Sequence, residues 1–552
     1  MSSNSNKKDS FILQAGILAA AGFISRIIGL LYVSPVTRII GSVGLGYYQS
    51  AYNYYAIVLM ISSYSIPSAI SKVIAQKLSL REYRNAHRIF ICAMFYVLGV
   101  GLVASLLLFF GAGHLVMESA VPVLRVLAPT IFVYGILGVL RGYFQAHKSM
   151  VQTSFSQILE QIVNAAVSIG AAYGFIVLFM GTYEKSEIPA EQTSRAVYGA
   201  MGSALGTGAG VLAALLFMAG IYALNRPLIQ RRIKRDKTRQ VDSYRDISLM
   251  ILRVVLPFIL STAIYNLSSS LNNKLYADIM IKYRQMEESL VAGDYGVFNG
   301  EAMKISNIPI AFASAMASAI IPTVSQLVAR KELKEAQKKA GQAVKTIMLI
   351  SIPSAVGLFA LAKPITWLLF PDESTIELAT GILMALAISV VFYALSTLSN
   401  SILQGIGRVN TPIINAAIAL ILQTLIMVPL LIFTDLGIYA VVIATIVYSG
   451  LMCVLNQMSM YKALGYRQEI TGTFVIPFLA SAFMGAIAWV VYEGLLLLTK
   501  SIVVSVIPAI IVAVIVYFVL LILFKGVTEE ELRAMPKGYL LVKAARKVGL
   551  LR

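Results

Sequence analysis

Arg26 stands in an apolar stretch, Phe11 to Val33, that is long enough to cross a bilayer. An arginine at the centre of such a helix costs about 2.5–3.5 kcal/mol, so a chain keeps one there for a cavity or a partner. A second cation, Lys304, lies in another apolar segment. At about 1.5 Å of rise per residue, Arg26 sits roughly 10 Å and Lys304 roughly 9 Å below the outer boundary of the membrane. A planar guanidinium fork and a movable ammonium are suited to gripping a phosphate or pyrophosphate. Asn53 falls in a similar layer, and Gln49 and Tyr32 complete the expected substrate-binding set. Packing alternatives stay open: an ion pair within the bundle for Arg26, and for Lys304 a pair with Glu301 at i,i+3 or snorkelling to the surface.

A second polar group lies in FSQILEQIVN, where Gln157, Glu160 and Asn164 share one helical face that lipid would not accept. Glu160, Asn164 and Glu301 are the residues expected to couple ion movement or to gate. A satisfied hydrogen-bond network between helices is the structural alternative. Catalysis has no comparable support. The chain lacks GxSxG, GxxxxGK[ST] and HExxH, its two cysteines and three histidines are scattered, and no cofactor or metal is expected.

These residues need a membrane scaffold, and the composition supplies one. The 552 residues are 58% hydrophobic and only 13% charged, with a mean hydropathy of +0.79. Fourteen apolar segments of about 20 residues follow one another, at 11–33, 47–72, 88–111, 120–144, 152–180, 196–223, 247–272, 298–328, 342–362, 377–405, 411–434, 437–461, 472–498 and 502–524. The expected fold is therefore all-α, a polytopic protein of 14 transmembrane helices. Most of the 45 Lys and Arg fall in the loops on the side of the N-terminus. That bias puts both termini in the cytoplasm and makes nucleic acid an unnecessary partner, despite the net charge of +19. The segment NRPLIQRRIKRDKTRQVDSYR is the longest inward linker.

An internal repeat divides the spans. IPSAISKVIAQK from Ile66 resembles IPTVSQLVARK from Ile321, and LAPTIFVYGILGVLRGYFQAHKS from Leu127 resembles LAISVVFYALSTLSNSILQGIGR from Leu386. Tyr134 falls over Tyr393 and Gln145 over Gln404. Two pseudo-symmetric six-helix lobes with a site between them are expected, followed by two C-terminal helices. The boundaries are 1–224 for the first lobe, 225–246 for the linker, 247–464 for the second lobe, and 465–552 for the last two spans and a cytoplasmic tail.

ISRIIG at 24–29, TRIIG at 37–41, IPSAISK at 66–72 and LRGYFQAHKSMVQTSFSQILEQIVN at 140–164 resemble the SpoVB/YtgP branch of the MurJ-type lipid II flippases. These belong to the multidrug/oligosaccharidyl-lipid/polysaccharide (MOP) exporter superfamily. The resemblance implies movement of undecaprenyl-pyrophosphate-linked peptidoglycan precursor (lipid II) between leaflets of the bacterial cell membrane by alternating access. It implies cavity roles for Arg26 and for Lys304, which stands where other members carry arginine. Tyr32 replaces a further arginine of the family. The resemblance also implies an apolar groove for the lipid tail at the last two spans. Membrane lipids are the other partner, and an ion gradient or the membrane potential is the expected drive. A flippase for another polyprenyl-linked precursor (teichoic acid, capsule or O-unit), or a cation-coupled drug exporter of the same fold, are the alternatives.

Overall fold

The computed structural model describes residues 21, 22, 24–60, 62, 66–147, 149–181, 189–236, 241–527, 529, 539, 542, 543 and 546. Residues 11–20 of the expected first span, Lys148, and the loop containing Glu184, Lys185 and Glu187 lie outside that set. Within it every regular element is helical, and no strand occurs. Ten helices are long and apolar enough to cross a membrane, or eleven if the bent pair Ile24–Leu31 and Val33–Leu59 is one span. In chain order the helices are α1 (Ile24–Leu31), α2 (Val33–Leu59), α3 (Ile66–Ser79), α4 (Tyr83–Leu115), α5 (Val121–Ala146), α6 (Met150–Met180), α7 (Pro189–Lys234), α8 (Tyr244–Ala277) and α9 (Glu288–Tyr295), followed by α10 (Met303–Ala329), α11 (Leu333–Ala360), α12 (Ala362–Leu369), α13 (Ile376–Gly405), α14 (Asn410–Phe433), α15 (Ile438–Leu464), α16 (Ile476–Thr499) and α17 (Ile502–Leu523).

Internal contacts group the chain into Met1–Gly296 and Val297–Arg552. In the first unit, α6 and α7 lie against each other along their length. The glycines of α7 allow it: a Cβ on Gly202 would stand 2.1 Å from the Ala171 carbonyl, and one on Gly206 2.1 Å from Ser168 Oγ. Small residues at i and i+4 let two membrane helices approach until their backbones touch. At 46 residues α7 runs roughly 69 Å, well beyond about 30 Å of hydrocarbon, so its last turns stand clear of the membrane. The expected linker from 225 therefore begins as helix.

Two other segments read as loops turn out to be ordered helix. Residues 34–46 belong to α2, whose backbone is broken at Gly41 (φ 72°). Between α8 and α10, α9 buries Val291, Ala292 and Tyr295, and its Glu288 accepts a 2.9 Å bond from the Ser119 amide. Tyrosines clustered at a span end commonly form an interfacial belt, yet Tyr47, Tyr48 and Tyr55 are buried.

In the second unit, α10, α11, α13 and α15 share one core, while α16 and α17 build another against α11 and α12. Tyr517 of α17 donates to the Leu349 carbonyl of α11 at 2.9 Å. The last two helices thus pack against α11 and α12.

The repeat itself reappears as matching turns. Arg81 (φ 59°) and Lys331 (φ 62°) adopt the left-handed conformation at equivalent corners. The Glu82 amide bonds to the Lys77 carbonyl at 3.0 Å, and the Glu332 amide to the Leu327 carbonyl at 2.9 Å. Likewise the Ser149 amide reaches the Phe144 carbonyl at 3.0 Å, and the Arg408 amide reaches that of Leu403 at 2.9 Å.

The first of these corners is tied to the segment before α8. Lys77 Nζ contacts Glu82 at 2.9 Å and Asp242 at 2.5 Å, and the Arg84 amide donates to Asp236 at 2.6 Å. Arg88 donates to the Asp242 carbonyl at 2.7 Å and lies over the Tyr244 ring. The Asn85 amide, then the Lys77 ammonium, hold the Glu82 carboxyl below its ordinary range. Burial pulls Lys77 down, but its bonds to Asp242 and Glu82 outweigh burial and raise it.

Two outcomes follow from this packing. Gly202→Val drives a side chain into the Ala171 carbonyl, an overpacking that costs about 1–3 kcal/mol, and should lower the melting temperature of the detergent-purified protein. A carboxyl depressed in the folded state gives stability above its unfolded value and loses it as pH falls through the folded one. The Lys77–Glu82–Asp242 corner should therefore hold from about pH 5 to about pH 8 and loosen below the ordinary glutamate value of 4.5. Hydrogen exchange at residues 82–86 and 241–243, corrected for intrinsic rates, checks it; protection unchanged at about pH 4 would contradict the assignment.

Candidate functional site

Arg26 lies on α1, six residues before the helix breaks at Tyr32 and bends by 43° into α2. Its side chain is exposed, and among the described residues it has no acidic partner. It shares a helix face with Gly29, where a Cβ would meet Gln161 of α6 at 3.6 Å. That contact turns the face toward the helix bundle. A charge placed there without a counter-ion is tolerable only if water reaches it.

Tyr32, at the break itself, lies beside Asn164 and Tyr48. Tyr48 Oη lies 3.1 Å from Thr207 Oγ1, and its ring stacks on Tyr52 with centroids 5.7 Å apart. Asn164 Oδ1 accepts from Ser168 Oγ at 3.0 Å, and that hydroxyl also lies 3.0 Å from the Ser203 carbonyl. Tyr32 and Asn164 therefore join one network that crosses α2, α6 and α7. Their grouping depends on the tight α6–α7 approach.

Glu160, one turn before Asn164, does not reach Arg26. Its carboxylate pairs with Arg141 of α5 at 2.7 Å, and Arg141 Nε donates to Ser156 Oγ at 2.9 Å. The place of Arg141 near a span end is that of an inward loop anchor, but the structure buries it at 4% exposure. A signal was present. Arg141 and Ser156 lie at nearly the same distance from the turn between α5 and α6, and antiparallel neighbours bring such residues nearly level.

Asn53 and Gln49 face other elements. Asn53 Nδ2 donates to the Tyr295 hydroxyl of α9 at 2.7 Å, and the adjacent Ser50 bonds to Asn273 of α8 at 3.1 Å. Gln49 is 4% exposed, and its Nε2 is buried without a partner. An unmet donor of that kind is unusual in a folded chain.

In the second unit Glu301 is 1% exposed, and neither carboxylate oxygen has a hydrogen-bond partner among the described residues. Lys304, one turn further and half-buried, forms no ion pair with it. The i,i+3 pair offered by the sequence is not made. Elsewhere in this unit an apolar cavity of about 790 Å³ opens between α11, α13 and α16, lined by Phe359, Ile388, Phe392, Phe474 and Phe478 among others. Its walls come from the expected spans 9, 10 and 13. No group of three or more His, Cys, Asp or Glu among the described residues is arranged to hold a metal ion.

The sequence pattern of a family described as "Polysaccharide biosynthesis protein" matches residues 13–328. The chain belongs to this family. A second pattern, MatE, matches residues 300–429. It is 25% identical over 492 residues to "Lipid II flippase MurJ" of Bacillus subtilis (strain 168), covering 85% of this chain and 86% of that protein. It is 23% identical over 538 residues to "Stage V sporulation protein B" of the same organism, covering 96% and 98%. A solved structure of "Lipid II flippase MurJ, inward closed conformation" matches with a TM-score of 0.63 at 15% identity, over 92% of this chain and 98% of that one. A MATE family transporter of the MOP superfamily in its inward-facing conformation matches with a TM-score of 0.57 at 16% identity, over 82% and 98%. The family member described here has the MOP fold, and is a multi-pass bacterial membrane transporter, not an enzyme.

The buried pair supplies a check on its energetics. Removing one partner of a buried ion pair strands the other and costs about 3–5 kcal/mol, whereas removing both costs less than the sum. Glu160→Gln and Arg141→Met should each lower thermal stability strongly in detergent, and the double variant should recover part of the loss. Additive losses would show that the pair is not coupled.

Proposed function

We propose that this transporter is a flippase for a polyprenyl-pyrophosphate-linked glycan, lipid II in the first instance, carried from the inner to the outer leaflet by alternating access. Arg26 and Lys304 are the cations that bear the pyrophosphate, and Gln49, Asn53 and Tyr32 contribute polar contacts. The observation that carries the reading is Arg26, a full charge on a membrane helix, exposed and without an acidic partner among the described residues. Such a group is a ready site for an anion.

The scaffold in this reading is fourteen spans, with two six-helix lobes bounded as the repeat suggests, two further helices and cytoplasmic termini. Similarity over nearly the full length to "Lipid II flippase MurJ" and "Stage V sporulation protein B" supports that arrangement and this cargo class. The aromatic cavity between α11, α13 and α16 suits the apolar tail. Coupling belongs to Glu301, Glu160 and Asn164 in the sequence reading. Of these, Glu301 is the unpaired carboxyl, whereas Glu160 is neutralised by Arg141. A drug exporter that exchanges cations at a free carboxylate is less well served by a Glu160 held in this way.

The test is replacement of a depleted lipid II flippase by this chain, scored by exposure of the lipid II head group at the outer surface. A charged hydrogen bond contributes about 1.5–3 kcal/mol, so Arg26→Ala should reduce exposure roughly ten- to hundredfold at equal expression. Arg26→Lys should retain part of it. Unchanged exposure with Arg26→Ala would remove the phosphate-clamp reading.

A further inference from the structure

Two of the three histidines, scattered in the sequence, meet in one cavity. It holds about 190 Å³ at the end of the first unit where α5 stops, α6 begins and the last turns of α7 pass. His87 of α4, His147 at the α5 terminus and Arg232 of α7 line it, together with Tyr143, Phe144 and Leu228. His87 Nδ1 is buried and has no hydrogen-bond partner. His147 Nδ1 lies 2.9 Å from the Tyr143 carbonyl, which commits that nitrogen and leaves Nε2 free for other company. Arg232 is exposed and has no acidic partner among the described residues. None of the described residues lining the cavity is acidic.

We propose that this cavity binds a phosphate ester, with the phosphate held by Arg232 and His87, a hydroxyl of the organic part donating to His147 Nε2, and the rest of it against Tyr143, Phe144 and Leu228. The volume is that of roughly six waters, too large for a bare ion and suited to a glycerol phosphate group. Arg232 and an N–H of His87, from different elements and with no carboxylate beside them, favour an anion. A tetrahedral phosphate has the acceptor oxygens to meet both at once, and guanidinium matches it well. The aromatic and aliphatic wall favours an ester over inorganic phosphate. This site is separate from Arg26 and Lys304, so it does not depend on the flippase reading.

The ester comes either from an anionic phospholipid headgroup or from a soluble metabolite. The full chain in phosphatidylcholine nanodiscs is titrated with sn-glycerol 3-phosphate. In parallel, retention of phosphatidylglycerol is measured by native mass spectrometry. At least one probe should bind the parent chain, weaken roughly tenfold or more in Arg232→Gln and in His87→Gln, and be spared by Arg231→Gln, an exposed neighbour outside the cavity. Lipid-only or metabolite-only binding identifies the source, and both outcomes support the site. Should His87→Gln fail to fold, Arg232→Gln and its rescue by Arg232→Lys decide the matter. Absence of binding by either probe, or equal loss in the Arg231 and Arg232 variants, as a diffuse basic surface would give, overturns the proposal.

Discussion

The first unit depends on how closely α6 can lie against α7. Hydrocarbon gives helices no hydrophobic reason to associate, so packing and hydrogen bonds must hold them. Gly202 and Gly206 remove the side chains that would keep the two backbones apart. Once they are close, Ser168 reaches the Ser203 carbonyl and Asn164, and Asn164 lies beside Tyr32 at the break between α1 and α2. The position of α1, and with it Arg26, is set by a chain of contacts that begins at glycine.

The charges of the spans sort into two kinds. Arg141 and Glu160 are buried together and answer each other, and Ser156 takes a further guanidinium proton. Among the described residues Arg26 and Glu301 have no such counterpart, and Lys304 makes no pair with the carboxylate one turn away. Paired charges fix helices in place. Unpaired ones carry a standing cost that a ligand, an ion or a proton can relieve, which is why they are the better guide to transport.

Much of this was legible in the residues. Apolar runs located the helices, and the repeat anticipated matching corners at Arg81 and Lys331. What was misread has a common cause. Residues 34–46 and α9 are polar enough to resemble loops, yet α9 buries Val291, Ala292 and Tyr295. Tyr47 and Tyr55 resemble an interfacial belt by type, while their burial follows from packing. Arg141 resembles a loop anchor by its place near a span end, and only the neighbouring helix makes it a buried ion.

Sequence alone determined the class of molecule, since hydropathy is a local sum and a transmembrane helix satisfies its backbone within itself. It also determined which side chains are expensive to keep, because the cost of Arg26 or Glu301 in hydrocarbon does not depend on their neighbours' identity. Partnership was decided by tertiary structure. Whether Glu160 meets Arg26 or Arg141, or whether His87 and His147 share a cavity, turns on distances of a few ångströms between helices remote in the chain. Those distances follow from interhelical packing, which no single segment encodes.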